Sequence, residues 1–234
     1  MRFAVAFGPL LLAACGANSG ASQSPSQTSA FPKADRPVAA IVSSRWSTEE
    51  DRDNANEARE VMDMAGITTG MSVADIGAGE GYYTIRLAER VGEKGRVLAQ
   101  DIIPEYRNAL AERVNRERLD NVSVKLGLPA DPKLPPDSFD RILLIHMYHE
   151  IETPYEFLWR LRPSLRKGGR VVIVDADRPT SNHGTPPKLL ECELAAVGYR
   201  QVDFRNMPSA GGYLAMYETA GDAPAPSAIK PCKG

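Results

Sequence analysis

An acidic residue followed by alternating glycines gives this chain its clearest chemical signal. The segment carries Asp75 and then Gly77, Gly79 and Gly81. Glycine lets the backbone turn tightly and lets a ligand approach without meeting a Cβ atom. A dinucleotide-binding fingerprint would require a third glycine where this chain has Tyr82. A carboxylate ahead of the turn also disfavours a pyrophosphate, so the segment predicts a loop for a ligand with an ammonium or sulfonium group.

A second acidic residue follows at a distance that suits a ribose. Asp101 ends a short apolar segment and lies about 20 residues after Gly81, the spacing of an acid that accepts hydrogen bonds from ribose hydroxyls. Two hydroxyls can donate to one ionised carboxylate. Taken alone, Asp101 could cap a helix and the glycine turn could be structural. The full order of strand, acid, glycines, helix, strand and acid is far more specific.

Strand-like and helix-like segments alternate around these residues. The predicted strands span 72–76, 96–100, 122–126, 139–145, 170–175, 201–205 and 213–218. Capping-box patterns at 47–50 and 153–156 predict two helix starts, the first for a helix that runs to Ala65. The last two strands have no helix between them and can pair antiparallel. The alternation predicts an α/β three-layer sandwich with a mainly parallel sheet and its ligands at the carboxyl ends of the strands.

Several stretches resemble the class I, S-adenosylmethionine-dependent methyltransferases. Val73–Gly81 resembles the first motif of that family, Asp101 falls on its ribose-binding residue, and Leu165–Arg170 is typical of the approach to its fifth strand. Within the family, Gly81–Thr84 and Val91–Gly95 are similar to a group of predicted methyltransferases of unknown substrate. They are similar, more weakly, to protein isoaspartyl methyltransferases.

The resemblance covers residues 47–219 and implies both a fold and a cofactor. The implied fold is Rossmann-like, with a seven-stranded sheet of order 3-2-1-4-5-7-6 in which strand 7 is antiparallel. The implied cofactor is S-adenosyl-L-methionine, whose sulfonium carries the transferable methyl group. The expected cofactor-binding residues are Asp75, Gly77, Ala78, Gly79, Gly81, Asp101, Ile102, Asp131 and His146. Asp131 is included as the acid that follows the third strand, where the family places an adenine contact, although its register departs from the usual Gly-Asp-Ala.

Two of the three histidines follow the predicted fourth strand, where the family places groups near the transferred methyl. His149 is the predicted base or acceptor-orienting group, because histidine titrates near neutral pH. His146 is predicted to contact the amino-acid end of the cofactor or to pack beneath it. The alternative is that both are structural. The spacing His-x-x-His-Glu matches no common zinc motif and His183 is the only other histidine, so no metal site is predicted.

The N-terminus has the pattern of an export signal. The run from Phe3 to Ala14 follows a basic residue, is mostly apolar and is too short to span a bilayer. Leu12–Gly16 resembles the lipobox of bacterial lipoproteins, which implies that Cys15 becomes lipid-modified and anchors the chain to a membrane. The alternative is a plain signal peptide that contains a cysteine.

Composition divides the chain into four parts. The predicted parts are a signal peptide at 1–15, a flexible linker at 16–36, the methyltransferase domain at 37–220 and a disordered tail at 221–234. The net charge is −2 and the basic residues are scattered, which argues against a nucleic-acid partner. Three cysteines are too few for a disulfide framework and leave open whether Cys192 and Cys232 pair.

Two functions from different classes fit these patterns. The first is methyl transfer from S-adenosylmethionine to an unidentified small-molecule or envelope acceptor. The second is an exported, membrane-anchored binding protein that keeps the fold without catalysis, because the cofactor is made in the cytosol and the signal directs the chain out of it. The expected location is the bacterial cell envelope, facing the periplasm or the exterior. It is the cytoplasm if the N-terminal segment is not a signal.

Overall fold

A computed structural model describes residues 1, 30–41 and 48–234. The predicted lipidation site, Cys15, and most of the predicted signal and linker lie outside the described residues. The helices are α1 Glu49–Asn54, α2 Glu57–Met64, α3 Tyr82–Val91, α4 Pro104–Arg116, α5 Pro154–Leu161 and α6 Pro187–Ala196. The strands are β1 Ser72–Ile76, β2 Arg96–Asp101, β3 Val122–Leu126, β4 Phe139–Ile145, β5 Leu165–Asp175, β6 Tyr199–Met207 and β7 Gly212–Thr219. In the described part of the chain, no helix combines the length and the apolarity that crossing a bilayer demands.

The seven strands form one sheet of order β3-β2-β1-β4-β5-β7-β6, which confirms the predicted order. Strands β1 to β5 pair in parallel with their neighbours, whereas β7 is antiparallel to both β5 and β6. The antiparallel pair follows from the short connection at Pro208–Gly211, which is too short for a crossover. Strand order reverses between β1 and β4, and the crevice at such a point is where open α/β sheets bind their ligands.

Two apolar cores lie on opposite faces of the sheet. On β4, Ile142 and Leu144 join the core under α5 and α6, and Leu143 and Ile145 join the core under α2 and α3. The alternation is the two-residue period of a strand. Because β4 is buried on both faces, it forms a rigid support for the residues that follow Ile145.

Three local predictions about the helices are wrong. The segment before β1 is two helices, because Asn56 adopts a left-handed conformation with φ of 55° between α1 and α2. Helix α1 does begin with a capping box, but Thr48 is its N-cap and Asp51 its partner. Helix α5 begins at Pro154 as expected, yet the side chain of Thr153 makes no capping hydrogen bond.

The C-terminal segment is ordered, which corrects the predicted disorder of 221–234. Cys232 forms a disulfide with Cys192 on α6. The backbone N–H of Cys232 donates to the hydroxyl of Tyr155 at 2.7 Å, and Ile229 is buried. The prediction of disorder rested on the proline- and alanine-rich composition of this segment. Composition does not record the disulfide and the few buried contacts that hold the segment in place.

The predicted linker also ends earlier than residue 36. Phe31 packs edge-on against Trp159, with ring centroids 5.5 Å apart. The side chain of Arg36 is fully buried and forms an ion pair with Glu193 of α6, with Nε 2.8 Å from Oε1. The N–H of Ala39 donates to the carbonyl of His149 at 3.2 Å. Residues 31–41 therefore form part of the folded domain and reach the loop that carries His149.

Candidate active site

A cleft of about 1030 Å³ opens at the carboxyl ends of the parallel strands. Small-molecule sites commonly measure about 300–1,000 Å³, so this cleft has room for a nucleoside cofactor beside a second small molecule. Its lining includes two parts. The glycine half comprises Asp75, residues 76–80 and residues 100–103, and the histidine half comprises His149, Glu150, Ala176, Arg178 and His183.

The glycine loop has the backbone conformation that its sequence predicts. Gly77, Gly79 and Gly81 all have positive φ, at 69°, 53° and 91°. A Cβ atom on Gly81 would lie 2.3 Å from Cδ1 of Leu110, so a side chain there would be strained and would also clash. The loop can therefore keep its path over β1 only with glycine at this position.

Asp101 joins the glycine loop to the end of β2. Its carboxylate accepts hydrogen bonds from the N–H of Gly79 and the N–H of Ile103, both at 2.9 Å. The side chain is almost buried but lines the cleft, and Ile102 and Ala78 line the cleft beside it. Each carboxylate oxygen has a lone pair left to accept a hydroxyl. Asp101 thus lies where a ribose could donate to it.

Asp75 is the most deeply buried acid of the glycine half. It accepts a hydrogen bond from the hydroxyl of Thr84 at 2.6 Å. Burial raises the pKa of Asp75 to about 6, and the hydrogen bond from Thr84 offsets the shift only in part. A cationic ligand in the cleft would favour the ionised form. The position suits the amino group or the sulfonium of a ligand.

Gln100 is a glycine-half residue that the sequence analysis missed. It is almost completely buried at the end of β2, and it lines the cleft. Among the described residues, its Nε2 has no hydrogen-bond partner. A buried amide without a partner is costly, so this nitrogen is a natural donor to a ligand base. The signal was a polar residue directly after the apolar run 97–99 of β2.

The structure does not bring Asp131 to the cleft, in contrast to the prediction. The loop after β3 turns back on itself through a bridge between Leu128 and Asp131. The Asp131 carboxylate accepts from the N–H of Lys133 at 2.8 Å and lies 3.1 Å from its ammonium. Pro129 is the residue of this loop that lines the cleft.

Helices α1 and α2 close one side of the cleft. The guanidinium of Arg52 stacks on the ring of Tyr82, 3.8 Å from its centroid, and forms an ion pair with Glu57 at 2.6 Å. Glu57 also accepts from the hydroxyl of Tyr83 at 2.8 Å. Arg52 and Glu57 line the cleft, so these helices bring charge to the ligand space.

His146 faces this charged side of the cleft. Its Nε2 lies 3.5 Å from Oε1 of Glu57. Burial alone would raise the pKa of Glu57, but hydrogen bonding from His146 and the charge of Arg52 lower it to about 2. Glu57 is therefore ionised at neutral pH. Glu57 was not identified from the sequence, although a charged residue beside the apolar positions of α2 indicates a buried charge.

His149 is the buried centre of the histidine half. Its Nδ1 lies 3.0 Å from Oδ1 of Asp175, the last residue of β5. Asp175 also accepts from the N–H of Ala176 at 2.8 Å and from the hydroxyl of Thr185 at 2.7 Å. Because the carboxylate accepts from every partner, Nδ1 is the protonated nitrogen and Nε2 carries the lone pair. The arrangement can hold or receive a proton at Nε2.

Asp175 and His183 were not assigned roles from the sequence. Asp175 lies at the carboxyl end of a central strand, as Asp75 and Asp101 do. The same criterion could therefore have identified it from the sequence. The ring of His183 lies edge-on to that of His149, with centroids 5.5 Å apart. No spacing rule connects these two histidines, because the fold alone brings their loops together.

The domain is similar to known methyltransferases. Residues 67–205 match the model of a family described as "Methyltransferase domain". A ubiquinone/menaquinone biosynthesis C-methyltransferase from Marinomonas sp. is 27% identical over 67% of this chain and 59% of that protein. A protein-L-isoaspartate O-methyltransferase from Methanothrix thermoacetophila is 34% identical over 47% of this chain and 50% of that protein. The chain thus spans at most about three fifths of these two relatives.

Solved structures share the fold at lower identity. A SAM-dependent methyltransferase from Aquifex aeolicus superposes with a TM-score of 0.62 at 24% identity, over 73% of this chain and 97% of that one. A phosphoethanolamine N-methyltransferase from Haemonchus contortus, solved with phosphoethanolamine and S-adenosylhomocysteine, gives a TM-score of 0.57 at 16% identity. It covers 76% of this chain and 46% of that one.

The glycine half fits the cofactor of this family. The loop follows a path that a side chain at Gly81 would block, Asp101 can accept from ribose hydroxyls, and the unpartnered amide of Gln100 can donate to a base. The buried Asp75 offers a carboxylate to a cation. The cofactor is S-adenosylmethionine. On the family match, which spans more than half of its length, the chain belongs to the class I, S-adenosylmethionine-dependent methyltransferases.

Proposed function

We propose that this protein transfers a methyl group from S-adenosylmethionine to a small-molecule or envelope acceptor bound in the histidine half of the cleft. One observation carries the proposal. Two buried carboxylates, Asp75 and Asp101, stand at the ends of neighbouring strands on either side of a loop that only glycine can form. Neither a pyrophosphate nor a purely apolar ligand needs that pair of charges.

The chain's own contribution to the reaction is alignment. The bound cofactor supplies a methyl group that its sulfonium has already activated. Asp101 and the glycine loop hold the nucleoside, and Asp75 and His146 lie on the side where the amino-acid end would be held. Holding two reactants in line can supply about 7–11 kcal/mol of the barrier without any covalent step. Arg52 and Glu57 exclude water from one side of this space.

His149 is the proposed group that accepts the proton of the acceptor or orients it. Its support is the hydrogen bond from Nδ1 to Asp175, which leaves Nε2 as a lone pair on a residue that lines the cleft. General-base catalysis of this kind contributes about 100- to 10,000-fold. Asp175 acts through the imidazole and is a positioning residue.

Calorimetry with the full-length protein, solubilised in a mild detergent, tests cofactor binding. We expect one equivalent of S-adenosylhomocysteine to bind with a micromolar dissociation constant. If neither S-adenosylhomocysteine nor S-adenosylmethionine produces binding heat or raises the melting temperature, the proposed reaction is ruled out.

We also propose that the protein is exported and anchored through Cys15. The lipobox resemblance carries this proposal, and the disulfide between Cys192 and Cys232 supports it because disulfides persist mainly in oxidising compartments. Cys15→Ser should abolish incorporation of labelled fatty acid and release the protein from membranes. A wild-type protein that stays in the cytosol without label would refute the anchor.

The export signal also favours a second candidate, an anchored binding protein without catalysis. It predicts that His149→Gln restores the phenotype of a deletion strain as well as the wild type does. Methyl transfer predicts that this variant fails while Asp131→Asn succeeds, since Asp131 does not line the cleft.

A further inference from the structure

We propose that His149, Glu150 and His183 form a binding site for one divalent transition-metal cation in the histidine half. One ring nitrogen of each histidine and one carboxylate oxygen of Glu150 all lie within 4.8 Å of one another. Ligands about 2.0–2.1 Å from a tetrahedral ion lie about 3.3 Å apart, so small side-chain rotations would complete the coordination. The spacing in the sequence predicted no such site, because it is assembled from two separate loops.

The chemistry of the three ligands favours a transition metal over magnesium or calcium. Imidazole nitrogens select zinc, iron, copper or nickel, whereas magnesium and calcium prefer sites made of oxygen. Two imidazoles and one glutamate are the protein ligands of one class of catalytic zinc site, which keeps a fourth position open. All three residues line the cleft, so the open position would face the ligand space.

Asp175 supplies the orientation that metal-binding histidines usually have. A ligating histidine commonly donates its other ring N–H to a carboxylate, which fixes the tautomer. Here Nδ1 of His149 lies 3.0 Å from Asp175, and the carboxylate is itself held by Thr185 and by the N–H of Ala176. The nitrogen available to a metal is therefore Nε2. Asp175 is already fixed in the fold, so it does not need to reorganise on binding.

The two ligand loops are held by the same segment of the chain. His149 and Glu150 lie in a short turn after β4, and the carbonyl of His149 accepts from the N–H of Ala39 at 3.2 Å. His183 follows a short turn that begins at Thr180, whose hydroxyl donates to the carbonyl of Pro37 at 2.7 Å. Residues 37–39 thus fix both loops, which favours a preformed site.

The catalytic use of this ion rests on the proposed function, whereas its binding does not. An acceptor hydroxyl bound at the open position would lose its proton to water more readily. Its oxygen lone pair would then attack the methyl carbon as the methyl–sulfur bond breaks, which releases S-adenosylhomocysteine. In that case His149 serves as a ligand, and the acceptor class is a molecule with an ionisable hydroxyl that can bind a metal.

Metal titrations of the full-length protein test the site. The protein is purified without a histidine tag, stripped with EDTA and titrated with zinc chloride in a calorimeter, and cobalt(II) binding is followed by visible absorption. We expect one equivalent of zinc with a micromolar or lower dissociation constant, and a cobalt spectrum of low coordination number. His183→Ala and Glu150→Gln should each weaken zinc binding at least tenfold, and Asp175→Asn about 10- to 100-fold.

His146→Gln is the matched control, because it removes a histidine of the same cleft that is outside the cluster. It should bind zinc as the wild type does. Absence of stoichiometric zinc binding, or zinc affinity unchanged in both His183→Ala and Glu150→Gln, would overturn the site. If His183→Ala fails to fold by circular dichroism, His183→Gln takes its place.

Titrating S-adenosylhomocysteine into the same samples separates the two proposals. Cofactor binding without zinc binding overturns the metal site and leaves the proposed methyl transfer standing. Zinc binding without cofactor binding supports the metal site and refutes the proposed function.

Discussion

The glycine half and the histidine half of the cleft are built in different ways. The glycine half comes from one stretch, residues 75–103, which includes the end of β1, the helix α3 and the neighbouring strand β2. The histidine half combines the loop after β4, the loop after β5 and a contact from residues 37–39. The proposed cofactor contacts are therefore encoded locally. The other half depends on segments that only the completed sheet brings together.

The buried acids beside the two halves differ in how firmly the protein holds them. In the glycine half the pKa of Asp75 is raised by burial to about 6, and Gln100 has no partner for Nε2 among the described residues. In the histidine half Asp175 is close to three hydrogen-bonding partners. We therefore expect Asp75 and Gln100 to gain partners when a ligand binds, whereas Asp175 is already held by its neighbours.

The largest expected effect is on stability beneath the histidine half. Arg36→Met should lower the free energy of unfolding by about 3–5 kcal/mol, because it leaves the buried carboxylate of Glu193 without its cation. Tyr148, one residue before His149, donates to the same carboxylate at 2.7 Å. Urea denaturation followed by circular dichroism measures the loss.

Arg200→Met is the control for this prediction. Arg200 forms an exposed ion pair with Glu218, so its removal should cost less than about 1 kcal/mol. Equal losses in the two variants would show that residues 31–41 do not support the histidine half.

The next effect tests whether the two halves act separately. His149→Gln should lower the rate of methyl transfer about 100- to 1,000-fold, because the imidazole is the proposed proton acceptor or metal ligand. Affinity for S-adenosylhomocysteine should stay within twofold. The rate is measured with methyl-labelled S-adenosylmethionine and a membrane extract from cells that lack the protein. A parallel loss of cofactor affinity would contradict the division of the cleft.

The fold was predictable from the sequence because its signals are local and repeated. Apolar strands such as 139–145 are bounded by turn residues, and the absence of a helix between the last two strands predicted their antiparallel pairing. The main incorrect predictions concern the segments before the first helix and after the last strand. Phe31, Arg36 and Cys232 are each held by one to a few long-range contacts, which neither periodicity nor composition records.

The site was predictable only where one segment builds it. Asp75, the glycines and Asp101 could be grouped from the sequence because one continuous segment carries them to the same side of the cleft, and their contact with the cofactor stays a prediction. Asp131 was misplaced because the course of a loop decides where its carboxylate points. Glu57, Asp175 and His183 reach the cleft through tertiary packing, so no motif marks them as partners of the residues they contact.

A smaller effect distinguishes two of the three acids that were predicted to contact the cofactor. Asp101→Asn should weaken binding of S-adenosylhomocysteine about 100-fold, because hydrogen bonds to a charged acceptor contribute about 1.5–3 kcal/mol each. Asp131→Asn should change it less than twofold, since that carboxylate pairs with Lys133 outside the cleft. Calorimetry at one pH measures both. Equal losses would restore the adenine contact that the sequence predicted.

The smallest effect is a pH dependence that belongs to the glycine half alone. The pKa of Asp75 is about 6 without ligand, and the cationic cofactor favours the ionised carboxylate. Affinity for S-adenosylmethionine should therefore be full above pH 7 and fall about tenfold between pH 7.5 and 5.0, as Asp75 becomes protonated. Asp75→Asn should remove this dependence and bind weakly at every pH.

Stability without ligand should change in the opposite direction, which gives this prediction a second test. A carboxyl group whose pKa is higher in the folded than in the unfolded chain binds its proton more tightly when folded. The contribution of Asp75 to stability is therefore present at low pH and is lost as the pH rises from about 4 to 6. Comparing the unfolding free energies of wild type and Asp75→Asn across this range isolates it. If affinity and stability rise together with pH, Asp75 is not the carboxyl group whose ionisation is coupled to cofactor binding. The glycine half would then be as fully organised without ligand as the histidine half.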